Sequence, residues 1–211
     1  MMNPNWLVVS YFTENPPYPE CANRLISSLQ ALSLPYDVVS VKDLGDWYKN
    51  TQFKPVFLQR MFTKYSPKSL VCVDADAVFL KYPEYFDYLD NWNGGPDIAL
   101  YVLDHSKFGR RDRTPELLSG TIFLRNTPTT SIILERWVAE CHKNPVLWDQ
   151  RALTKVLKDF TFHLLPEEYC TIFDYMASVK DPVIKHFQAS RAVRKARRIP
   201  KTNQVYVVKR K

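Results

Sequence analysis

The stretch "SLVCVDADAVFLKY", residues 69–82, sets the frame for the rest of the chain. An unbroken apolar run, Leu70 to Val73, ends on two carboxylates, Asp74 and Asp76, with only Ala75 between them. The chain then turns apolar again from Ala77 to Leu80. A short run that is apolar at every position reads as a strand covered on both faces. Carboxylates at the end of such a strand are costly unless something pairs with them. They either cap a turn or present oxygens to one divalent cation, and such hard ligands suit Mg²⁺ or Mn²⁺.

Outward from this strand, "WLVVSYF" (6–12), "YDVVSVK" (36–42), "IALYVL" (98–103) and "LLSGTIFLRN" (117–126) read as further strands. Helical spacing runs over 20–32 and 54–65, and "YPEYFDYLD" (82–90) carries a Pro near a helix start. Two more helices are predicted over about 128–143 and 148–159. "FHLLP" and "PVIKHFQ" are short strand candidates, and "HSKFGRRDRTPE" (105–116) is a long polar loop. Strands alternating with helices predict a single α/β Rossmann-like domain, with a mostly parallel central sheet and helices on both faces. Ligands on such sheets bind beyond the carboxyl ends of the strands, where Asp74 and Asp76 lie.

Composition bounds the function. The 211 residues are 45% hydrophobic, enough for one substantial core. No segment approaches the roughly 18 consecutive apolar residues of a membrane span. The N-terminus, "MMNPNWLVVSYF", lacks the charged and small-residue features of a signal peptide. The four cysteines, at 21, 72, 141 and 170, form no CxxC pair, which fits reduced thiols in a cytoplasmic protein. The five glycines form neither GxGxxG nor a P-loop, so a metal clamping a diphosphate is the remaining common route to nucleotide chemistry. Net charge is +7, yet ten Lys and Arg and no acid fall between Pro182 and Lys211, which leaves a slightly acidic body. That basic segment calls for an anionic partner.

With these residues in view, "VCVDADAVF" resembles the DxD motif of GT-A glycosyltransferases, Rossmann-like enzymes that bind a nucleotide sugar through Mn²⁺ or Mg²⁺. The likeness extends along most of the chain. It divides the chain into a GT-A domain, 1–188, and a basic extension, 189–211. It implies contacts to a UDP-sugar donor from Tyr11, Phe12 and Thr13 in "SYFT", and from Lys54 and Arg60 in "NTQFKPVFLQRMF". "LSGTIFLRNTP" resembles the strand that shapes the sugar site, which implicates Ser119 and Gly120, and Ala75 joins Asp74 against the donor. "WDQRAL" resembles the Asp-Gln pair near the anomeric carbon, making Asp149 and Gln150 the candidate catalytic residues. "PVIKHFQASR" resembles the late motif whose His, here His186, is the third metal ligand beside Asp74 and Asp76. Arg191 and Lys195 stand where they would reach the donor phosphates. The set is similar to family 8 and its relatives, which implies retention of anomeric configuration. Inversion would instead need a carboxylate base, and Asp149 is available for it.

The acceptor is read from charge. A compact glycosyltransferase without an anchor resembles phage enzymes that glycosylate hydroxymethylated pyrimidines in DNA, which would put it in the host-cell cytoplasm. Arg110, Arg111, Arg194, Arg197 and Arg198 are the candidate phosphate contacts to DNA. The alternative acceptor is a saccharide or lipid-linked glycan. Outside glycosyl transfer, "DADAVF" also resembles the nucleophile motif of haloacid-dehalogenase phosphatases, although their later acidic pair has no counterpart after Asp181. A non-catalytic nucleotide-binding module is the remaining alternative.

Overall fold

A computed structural model describes residues 4–189 of the chain. Arg191, Arg194, Lys195, Arg197 and Arg198 lie outside the described residues, as does all but the first residue of the basic extension.

The elements run in the order β1 (Trp6–Thr13), α1 (Tyr18–Ala31), β2 (Tyr36–Val41), α2 (Trp47–Tyr65), β3 (Ser69–Val73), β4 (Ala77–Phe79), α3 (Glu84–Asn91), β5 (Ile98–Leu103), β6 (Glu116–Leu124), α4 (Pro128–Lys143), α5 (Asp149–Val156), β7 (His163–Leu164), β8 (Thr171–Ile172) and β9 (Ile184–His186). Six strands form the central sheet in the order β2-β1-β3-β6-β5-β7. β1, β2 and β3 run parallel, as do β5 and β7, while β6 runs against both of its neighbours. The reason lies in the connection. A parallel crossover takes a dozen or more residues, usually a helix. Residues 104–115 form only one 3₁₀ turn, His105–Phe108, so the chain returns antiparallel.

Period-2 alternation sends successive side chains of each strand to opposite faces. Trp6, Val8, Val71, Val73 and Phe123 pack under α1 and α3. Leu7, Val9, Leu70, Cys72 and Ile122 pack under α2, α4 and α5. The expected helices on both faces are present.

A second sheet, β4-β9-β8, positions the site. β4 follows Asp76 directly and pairs antiparallel with β9, so that Ala77 faces His186. Neither β4 nor β8 was among the strands expected from the sequence. α2 starts seven residues before the expected 54, since Pro55 imitates a first-turn proline. It lies inside the helix instead. Asp46 caps α2, accepting from the backbone N–H of Tyr48 at 2.8 Å and of Lys49 at 3.2 Å. The helix expected over 148–159 ends at Val156 and continues as a 3₁₀ turn, Leu157–Asp159. Among the described residues, no helix is long and apolar enough to cross a membrane.

Candidate functional site

A cleft of about 430 Å³ opens at the carboxyl ends of β1 and β3. Its walls include Tyr11, Phe12 and Thr13 of β1, Lys54 of α2, Asp74–Asp76, Ser119 of β6, and Asp149 and Gln150 of α5. Strand direction explains the gathering: parallel strands deliver their last residues, and the reversed β6 its first, to one edge.

Asp74, Asp76 and His186 each offer a ligand atom, all within 4.8 Å of one another. The Nδ1 of His186 is buried and has no hydrogen-bond partner among the described residues. Its Nε2 lies 2.8 Å from the Thr121 hydroxyl. If Nε2–H donates to Thr121, the lone pair of Nδ1 is turned toward the two carboxylates, an arrangement typical of a ligating histidine. Asp76 accepts the Ala189 N–H through Oδ2 at 2.7 Å, and its Oδ1 stands 3.7 Å from Nδ1. Gly120 keeps the cradle open. A Cβ there would lie 3.4 Å from His186 Nδ1 and 3.5 Å from Asp74 Oδ2. The orphaned Nδ1, the hard oxygens and the space above Gly120 fit a divalent cation.

Electrostatics agree. Burial pushes the Asp74 carboxyl up against the pull of Lys54, and Asp76 adds to the rise. Asp76 itself is held below the usual carboxylate range, because His186 and the Ala189 N–H outweigh its burial. Burial would lower the His186 pKa, but Asp76 and Cys170 push it up to about 10. The proton that imidazolium carries occupies a place a cation can take, since metal binding releases such protons.

Behind this cluster, the Lys54 ammonium is buried within reach of three acceptors: Asp74 Oδ1 at 2.7 Å, the Ser119 carbonyl at 3.0 Å and Asp149 Oδ2 at 3.2 Å. Burial would lower its pKa, but Asp149 and Asp74 raise it well above the ordinary lysine value. Asp149 also accepts from the Ser119 hydroxyl at 2.9 Å. Gln150 accepts the Ser119 N–H at 3.2 Å and donates to Glu116 at 2.7 Å.

The profile of the nucleotide-diphospho-sugar transferase family matches residues 48–209, well over half of the chain. The chain belongs to that family. Solved glycosyltransferases share its fold. One is a glycosyltransferase involved in glycosylation of the major capsid of the virus PBCV-1, with a TM-score of 0.68, 12% identity, and 90% of this chain and 98% of that one covered. Another is mouse xyloside xylosyltransferase 1, with a TM-score of 0.58, 17% identity, and 88% and 98% covered. A third is GlyE of Streptococcus pneumoniae TIGR4, with a TM-score of 0.56, 16% identity, and 86% of this chain on 54% of that one. No curated protein sequence matches. Family membership makes the chain a glycosyltransferase with a nucleotide-sugar donor and supersedes the phosphatase and binding-module alternatives.

In this transferase the fold gathers most of the residues singled out in the sequence. Tyr11, Phe12, Thr13, Lys54, Asp74, Ala75, Asp76, Ser119, Asp149 and Gln150 line the cleft, and His186 and Gly120 stand just behind it. Arg60 does not line it. The guanidinium lies over the Phe53 ring at 5.4 Å and borders a separate groove beside β2. The three N–H donors of Lys54 face protein acceptors, so its geometry is that of a tether for Asp74 and Asp149. Tyr11 donates to the Asn50 carbonyl at 2.8 Å, tying its ring to α2. Arg110 and Arg111 are exposed, and Arg110 pairs with Asp112 at 3.2 Å.

Ser119 and Gly120 sit in a bulge of β6. β5 pairs Leu100 with Ile122 but Val102 with Leu117, so the intervening β6 residues loop out of its ladder. Sequence reasoning missed Thr121, Glu116, Trp47 and Trp148. The first two act through register alone. Trp148 stood in plain view beside the Asp-Gln pair, and its ring lies 6.2 Å from Trp47 on the cleft wall.

Proposed function

We propose that the transferase moves a sugar from a UDP-sugar to an acceptor hydroxyl, with Mn²⁺ or Mg²⁺ held by Asp74, Asp76 and His186. The observation that carries this reading is the unpartnered, buried Nδ1 of His186 turned toward two carboxylates at the edge of the cleft. A divalent cation there would offset the charge that develops on the diphosphate. Tyr11, Phe12 and Thr13 are the residues we assign to the uridine, and Asp149 and Gln150 to the sugar. Asp149 is buried and already answered by Lys54 and Ser119, which makes it a poor general base. This supports retention, as the likeness to family 8 implies.

For the acceptor, a saccharide hydroxyl is our first reading. The Trp47 and Trp148 rings give the cleft an apolar wall of the kind sugar rings stack on. The named activities of the solved relatives are capsid glycosylation and xyloside xylosylation. The 5-hydroxymethylpyrimidine of DNA is the second reading. It draws on the ten basic residues from position 182 onward.

The test is release of UDP from a panel of UDP-sugars with Mn²⁺. It is run without acceptor, with methyl glycosides, and with DNA carrying 5-hydroxymethylpyrimidines. Release stimulated by a glycoside supports the saccharide reading. Release stimulated only by the modified DNA moves the acceptor to nucleic acid. No release with any donor overturns the UDP-sugar assignment. The anomeric proton coupling of the product, read by NMR, decides retention.

A further inference from the structure

Glu116 is a cleft carboxylate that neither the candidate metal cluster nor the assigned catalytic pair uses. It opens β6, directly after the polar loop, and its side chain is 38% exposed at the cleft. One oxygen, Oε1, accepts from Gln150 Nε2 at 2.7 Å. The other, Oε2, stands 3.3 Å from Nε2 of the buried His105. The Nδ1 of that ring lies 2.7 Å from the Tyr175 hydroxyl. Tyr175 packs in turn against Phe108, at 5.9 Å between ring centroids. A chain of contacts therefore runs from the far side of the 3₁₀ turn to the amide of Gln150.

The two ends of a glutamine amide are nearly alike in shape, so its orientation is set by its partners. Around Gln150 the partners leave one choice. The Ser119 N–H can only donate, which claims Oε1 at 3.2 Å. An ionised Glu116 can only accept, which claims Nε2.

We propose that Glu116, anchored by His105 and Tyr175, is the positioning residue that fixes the orientation of the Gln150 amide against the transferred sugar. This rests on the reading above that Gln150 lies beside that sugar. E116A releases the nitrogen end and lets the amide rotate. Q150E places two carboxylates at hydrogen-bond distance, where both cannot stay ionised. E116Q keeps a carbonyl oxygen that can still accept from Gln150 Nε2 and so holds the amide in place.

The experiment compares the wild type, E116A, E116Q and Q150E. It measures UDP release from the UDP-sugar panel with Mn²⁺, UDP–Mn²⁺ affinity by calorimetry, and Tm. E116A and Q150E are expected to lose about 10- to 100-fold in kcat, the scale set by misplacing one catalytic group. UDP affinity and Tm should stay near those of the wild type, and E116Q should keep most of the wild-type kcat. E116A with wild-type kcat overturns the proposal. So does E116Q no better than E116A, or a loss of kcat tracked by an equal loss of Tm and UDP affinity. A wild type that releases no UDP from any donor fails earlier: it overturns the UDP-sugar reading and takes this inference with it.

Discussion

The Lys54 ammonium stands 3.2 Å from the Asp149 carboxylate, and both side chains are only 7% exposed. Each charge is stable there because the other is present. Removing one member leaves an uncompensated buried ion, at a cost of about 3–5 kcal/mol. K54M is expected to lower the unfolding free energy, read from urea denaturation, by that much. K54M/D149L, which removes both charges, should recover most of it. A K54M protein that unfolds like the wild type would show that the pair contributes nothing.

Thr121 touches only the far nitrogen of His186, yet it sets which nitrogen faces the carboxylates. T121V is expected to weaken Mn²⁺ binding about 10- to 100-fold, the usual effect of losing such a partner. Mn²⁺ titration followed by EPR reads it directly. EDTA should abolish turnover in both proteins, with recovery in T121V needing correspondingly more Mn²⁺.

Gly120 makes a steric prediction. In G120A the new methyl would meet His186 Cε1 at 3.3 Å, closer than the roughly 3.5–4.0 Å of relaxed carbon contacts. The methyl would crowd both the His186 ring and the Asp74 carboxylate. Mn²⁺ affinity should fall while far-UV circular dichroism stays unchanged. Unaltered Mn²⁺ affinity would place the cation elsewhere.

All four cysteines are buried and free. Burial pushes the Cys72 and Cys141 thiols up to about 12. Since the thiolate is the reactive species, none of the four should react with Ellman's reagent at pH 8 in the folded protein. All four should react in guanidinium chloride. A fast-reacting thiol in the native state would contradict the burial of the cysteine that carries it.

On β2, Asp37 accepts from Lys64 at 2.8 Å and from Tyr65 at 2.7 Å. Burial would raise its pKa, but these two partners bring it below the ordinary value. A carboxyl depressed in the folded state adds stability above its unfolded pKa, about 3.9, and loses it as pH falls through the folded one. The wild type should therefore be more stable than D37N near pH 7, with the gap closing below about pH 4. A gap independent of pH would locate the effect in packing rather than charge.

Local signals explain what was readable in advance. Asp74 and Asp76 announce themselves because a strand and its end are written in consecutive residues. His186 is visible through the likeness of "PVIKHFQASR" to the family's late His motif. Lys54 was pointed toward the donor, but an isolated lysine carries no sign that it will be buried against two acids. Arg60 was expected beside it, yet six residues along a helix turn through about 240° from the first, so the two cannot share a face. Glu116 and Thr121 were silent because their roles arise from strand register. Thr121 comes opposite Val73 only when β6 pairs with β3. The reversed direction of β6 was also absent from the strand pattern, although the lack of a crossover helix in the 104–115 connection encodes it.

The pairing of Ala77 with His186 joins parts of the chain more than a hundred residues apart. Contacts of such long range are slow to form, because loop-closure entropy is spent before they return anything. The ligand cluster cannot exist until β9 has docked on β4, so the unfolded chain presents no such site. Were a divalent cation to bind there as proposed, mass action would tie it to the folded state, with about 2.7 kcal/mol gained at a concentration 100 times its Kd. Ion availability would then be a setting on the lifetime of this protein as well as on its turnover.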